Sequence, residues 1–158
     1  ISIIALRVAN GQKTLSFIQG IFSTRTINII GRVEGENSYT YATNLCNLAP
    51  LWIAKRDLSK AKSLLERSLD IFAKTAHADD LHKVTALNTL AGVYHREGNQ
   101  DQAEKLYHET LAVLEKNLGT NHPHCATVLS SLGMLYESLE KNEKAIECFI
   151  SRSTSVNT

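Results

Sequence analysis

The sequence has little of what most specialised architectures require. No uncharged apolar run approaches the roughly 20 residues of a membrane helix, which excludes a membrane span. Two prolines and eight glycines in 158 residues exclude collagen-like, mucin-like and loop-dominated chains. Three cysteines, Cys46, Cys125 and Cys148, are too few and too scattered for a disulfide framework. They read as free thiols of a reducing compartment, so a cytoplasmic location is expected. A net charge of +1 leaves no footprint for sequence-independent binding to nucleic acid or to an anionic membrane. Neither G-x-x-x-x-G-K-[ST] nor G-x-G-x-x-G occurs, so no phosphate-cradling loop is expected. H-E-x-x-H, G-x-S-x-G and C-x-x-C are missing too. No enzyme, metal or cofactor is expected. Methionine occurs once, at Met134, and the chain starts at Ile1, which reads as a fragment or a processed chain.

What is present suits a folded domain: 43% hydrophobic and 21% charged residues are globular values. Such a length buries roughly 70% of the unfolded surface. Charge is uneven. Residues 1–33 hold Arg7, Lys13, Arg25 and Arg32 and no acid, while all 16 acidic residues follow against 13 basic ones. A basic, acid-free N-terminus has the composition of a mitochondrial transit peptide, which keeps a mitochondrial location as the alternative.

The informative signal is internal repetition. A shift of 42 residues superposes Thr43, Thr85 and Thr127, then Leu45, Leu87 and Leu129, then Leu48, Leu90 and Leu132. The small residues Ala49, Ala91 and Gly133 follow, then the aromatics Trp52, Tyr94 and Tyr136. Ala61, Ala103 and Ala145, and Leu65, Tyr107 and Phe149, complete the set. Leu87, Leu90, Ala91 and Tyr94 lie at i, i+3, i+4 and i+7, one face of a helix. After Gly98 and Asn99 the phase resets, and Ala103, Leu106, Tyr107, Leu111, Leu114 and Leu118 form a second stripe. Asp57 and Asn99 suit N-caps, Gly119 a C-cap and Pro123 a first helical turn. Short turns make each unit an antiparallel helical hairpin. One hairpin cannot bury its own apolar face, but a stack can, so the expected fold is all-α, a right-handed α-solenoid.

Leu45-x2-Leu48-Ala49-x2-Trp52…Ala61-x3-Leu65 and its two copies resemble the tetratricopeptide repeat. The usual period is 34 residues; the longer one, with Leu118-Gly119-Thr120-Asn121-His122-Pro123 between copies, resembles the kinesin-light-chain and nephrocystin type. Repeats are expected at residues 35–81, 82–123 and 124–158. Residues 1–34 read as a degenerate repeat or a targeting-like segment, because Arg25–Ile30 matches Arg67–Phe72 in register and Gly35 matches Gly119. Pro50 should kink or end the first helix early. Past Phe149 the pattern decays, so the last hairpin should fray and its apolar face stay open to further stacking or self-association.

The resemblance implies a non-catalytic protein-interaction scaffold that binds a peptide or adaptor on its concave face. The alternative is a structural spacer or self-association segment of a larger regulatory protein. Concave positions implied by the resemblance include Thr43, Cys46, Asn47, Pro50 and Ile53 in the first repeat. The second repeat gives Thr85, Asn88, Thr89, Gly92, His95 and Arg96, and the third Thr127, Ser130, Ser131, Met134 and Glu137. The lining is polar and small, suited to bonding an extended peptide's backbone. Asn47 and Asn88 stand out because an amide both donates and accepts. Arg96 and His95 should favour an acidic residue at one edge. The basic clamp by which some family members hold a terminal carboxylate is missing, since Thr43, Thr85 and Thr127 occupy that column. His122, His124 and Cys125 could in principle ligate a metal, but their place between repeats reads as a turn.

Overall fold

The computed structural model describes residues 25–75 and 81–156, with side chains to 153. They form two compact units, divided between Ile71 and Phe72, and every described regular element is a helix. In the first unit, residues 25–33 are helical and are followed by α1 (Tyr39–Ala54) and by α2 (Leu58–Lys74), whose last three residues fall in the second unit. The second unit continues with α3 (Leu81–Glu97), α4 (Gln100–Leu118), α5 (Pro123–Ser138) and α6 (Asn142–Val156). No described helix is long and apolar enough to cross a membrane. The expected residues 1–24 of the degenerate repeat lie outside the described residues.

Hairpin formation follows from caps and a shared turn. Ser38 caps α1 by accepting from the Tyr41 N–H. Asp57 and Asn99 act as expected, accepting from the N–H groups of Lys60 and Gln102. Lys141, at the equivalent place, has no carboxylate or amide to do this. All three hairpins nevertheless turn alike. Arg56, Gly98 and Glu140, each 42 residues apart, have φ of 62°, 81° and 57°. The next residue's N–H then bonds the carbonyl of Trp52, Tyr94 or Tyr136, five residues back, at 2.9 Å. This is a Schellman closure of the first helix, and only the middle copy uses glycine at its left-handed position.

The small column sets the approach of paired helices. Ala49 and Ala91 are fully buried, and Gly133 is buried with them. A Cβ on Gly133 would sit 2.7 Å from the Phe149 ring, so glycine alone fits beneath this aromatic side chain. In the first unit Ser68, fully buried, donates to the Ala42 carbonyl across the α1–α2 pair at 2.8 Å. In the second unit α3 packs on α4, α4 on α5 and α5 on α6, while α3 also touches α5. The shared core includes Val84, Ala91, Tyr107, Leu114, Val128, Leu132, Leu135 and Tyr136.

Several expectations need correcting. Helix α1 passes through Pro50 and ends only at Ala54; Pro50 lies exposed, where its ring displaces no core atom. Helix α6 runs on to Val156, beyond the decay of the pattern after Phe149. Leu118, which periodicity places on the apolar stripe, is 38% exposed, at the end of α4.

Candidate peptide-binding groove

Neighbouring first helices α3 and α5 bring the second-repeat and third-repeat candidates together in one unit. Between their N-terminal halves lies a cavity of about 240 Å³ lined by Leu81, Val84, Thr85, Asn88, Leu114, His124, Thr127 and Val128. Val84, Leu114 and Val128 are buried and make its floor apolar. Asn88 Oδ1 is buried there without a hydrogen-bond partner among the described residues. An acceptor left in that state costs about 1–3 kcal/mol.

The hydroxyls of the groove are less versatile than expected. Thr85 donates to Leu81, Thr89 to Thr85, Thr127 to Pro123 and Ser131 to Thr127, always to a carbonyl one turn back. Their only hydrogen is engaged by their own helix, so outward they offer lone pairs. This leaves amides and cations as the donors of the face.

His95 closes the C-terminal end of the pair. Its Nε2 lies 3.3 Å from Ser138 Oγ. That hydroxyl donates to the Leu135 carbonyl at 2.6 Å. Arg96 is exposed and its charge acts on Tyr107 of α4, whose hydroxyl reaches toward Ser131. Burial pushes the Tyr107 hydroxyl pKa up, while its polar neighbour Ser131 and the Arg96 charge pull it down. Gly92 leaves room for this, since a Cβ there would lie 3.6 Å from the Tyr107 oxygen. Met134, 53% exposed, and exposed Glu137 complete α5's side.

Sequence reasoning missed Tyr107 as a groove residue, because its column reads as packing and its polar tip follows no periodicity. It also missed Leu114 and Val128, buried positions that become a cavity floor. Cys46, expected in the lining, is not part of it: it is 3% exposed, and burial pushes its thiol up to about 11. Asn47 is exposed on α1 of the first unit. His122 caps α5, its Nδ1 accepting from the His124 N–H at 3.2 Å, with Pro123 in the first turn.

Residues 83–151 match the tetratricopeptide repeat family model. No curated protein matches the chain. Among solved structures it is similar to BtubC (BKLC) from P. vanneervenii, with TM-score 0.77, 20% identity and 86% of this chain aligned. It is also similar to two structures of TPR-like repeats of Podosopora anserina described as a kinesin light chain. A single-substitution form of that protein gives TM-score 0.74, 21% identity and 94% coverage; the other gives 0.71, 21% and 93%. The chain spans 54% of the first of these proteins and 68% of the other two.

Proposed function

From a tetratricopeptide-repeat protein whose hairpins share the kinesin-light-chain repeat fold, we propose a non-catalytic scaffold that holds an extended segment of a partner protein along α3 and α5. The repeat fold makes protein interaction the general role; the groove supplies the specific reading. The observation that carries it is Asn88 Oδ1, a buried acceptor beside an apolar cavity. An extended peptide offers an N–H at each residue, next to a side chain that can fill such a cavity. Thr85, Thr89, Ser131 and Met134 flank the path, and Asn47 offers a like amide on the first unit. Arg96 favours an acidic residue in the ligand, and His95 is committed to Ser138.

Selection of a displayed random-peptide library on the immobilised full chain tests this reading. Asn88→Leu and Arg96→Glu are compared with the wild type after circular dichroism has shown equal folding. Enriched peptides that lose about tenfold or more in affinity for Asn88→Leu support the groove. Peptides that bind both forms equally overturn it and leave the spacer reading.

A further inference from the structure

The sulfur atoms of the chain belong to Cys46, Cys125, Cys148 and Met134, and the fold treats them unequally. The three thiols are 3%, 1% and 8% exposed. The Cys125 thiol also donates to the Gly119 carbonyl at 3.4 Å. Burial raises the pKa of all three above the ordinary 9.0, so the reactive thiolate is both scarce and out of reach. Met134 is the exception. It is 53% exposed, and a thioether has no proton to lose before it is oxidised.

Its direction on α5 follows from neighbours on the same face. Thr127 lines the cavity beside Thr85 and Asn88 of α3. The Tyr107 hydroxyl reaches toward Ser131, and Ser138 Oγ lies 3.3 Å from His95 of α3. At 3.6 residues per turn, Thr127, Ser131, Met134 and Ser138 fall within a sector of about 60°. Met134 therefore stands on the stripe that looks toward α3, between the cavity and the His95 end. Its column on α3 holds Gly92, which has no side chain to cover the sulfur.

We propose that Met134 is an oxidative modification site at which a peroxide weakens ligand binding, an inference that rests on the groove reading above. The sulfur lone pair attacks one oxygen of hydrogen peroxide, an S–O bond forms and the O–O bond breaks. The leaving hydroxide takes the proton of the transferred oxygen and departs as water. Sulfur loses two electrons to the peroxide. A flexible apolar side chain thus becomes a polar, chiral one. Thr85, Thr89 and Ser131 already spend their hydrogens on their own helices, so the sulfoxide adds one more acceptor to a face rich in them. It removes the apolar, adaptable contact that a ligand side chain would find there.

The probe is a peptide selected on the wild type and free of methionine and cysteine, titrated against the full chain before and after mild hydrogen peroxide. Peptide mapping by mass spectrometry should find one added oxygen on Met134 and unmodified thiols, with circular dichroism unchanged. Affinity should then fall about fivefold and return after treatment with methionine sulfoxide reductases, which act on each sulfoxide epimer. Met134→Leu, whatever its own affinity, should give the same value before and after peroxide. Oxidation of the thiols ahead of Met134, or an equal loss in Met134→Leu, would overturn the proposal. Unchanged affinity after oxidation, with Asn88→Leu still weakened, would overturn this proposal alone. Unchanged affinity in both would overturn the groove reading with it.

Discussion

Helices α4 and α6 occupy the same place in consecutive repeats, and the pair separates what the repeat dictates from what it leaves free. Both bury alanine at the first packing position, Ala103 and Ala145, and both carry an aromatic four residues on, Tyr107 and Phe149. Their outer positions diverge completely. On α4 they build a polar seat in which His108 Nε2 donates to Tyr136 and Tyr136 donates to Glu104. On α6 they are isoleucines open to solvent. Packing columns persist because a lost methylene is felt throughout a dense core, whereas an outer column follows whatever covers it.

The largest expected effect comes from breaking the polar seat. Tyr136→Phe should cost about 2 kcal/mol in urea unfolding, because Glu104 and His108 lose their partner. Its pH dependence has a definite sign. The hydrogen bond from Tyr136, followed by Lys141, Lys144 and His108, holds the Glu104 carboxyl below its ordinary 4.5, against a smaller opposing effect of burial. That stabilisation is therefore present above pH 4.5 and disappears as pH falls through the lowered value. The difference between wild type and Tyr136→Phe should narrow in acid; a constant gap would break the comparison.

Next comes Gly133→Ala, expected to cost about 1–2 kcal/mol through contact with Phe149. Gly92→Ala, with ordinary contact to Tyr107, should instead gain a few tenths to about 1 kcal/mol. Thermal melts of the two variants would sharpen the contrast, and equal shifts would contradict it. Glu140→Gly should stabilise by about 1 kcal/mol, since a non-glycine residue at positive φ is strained. Gly98→Glu should lose a similar amount. The smallest effect belongs to Ile146→Ser, expected within about 0.5 kcal/mol because the side chain is outside the core. A larger loss in the same melts would mean that α6's outer face is already a packing surface.

The hairpins, their register and two N-caps were legible because apolar periodicity and capping chemistry are local. The shared left-handed turn was not. Its column reads Arg56, Gly98 and Glu140, and only the glycine advertises positive φ. Cys46 is misplaced by repeat position alone, because that face looks polar in sequence while close helix pairing buries the thiol. The break at Pro50 does not occur, since one absent N–H on an exposed side is borne by the bonds around it. Within the groove, Asn88 and Arg96 were legible by residue type. The engaged hydroxyls, the reach of Tyr107 and the cavity floor depend on side-chain direction and on three helices meeting, which one-dimensional spacing does not encode.

Titration calorimetry with a peptide selected on the wild type, run in parallel on Asn88→Leu and on Ile146→Ser/Ile150→Ser, tests the central claim most directly. The account predicts that Asn88→Leu weakens binding about tenfold or more while the α6 variant matches the wild type. Undiminished binding by Asn88→Leu, or a loss confined to the α6 variant, would contradict it.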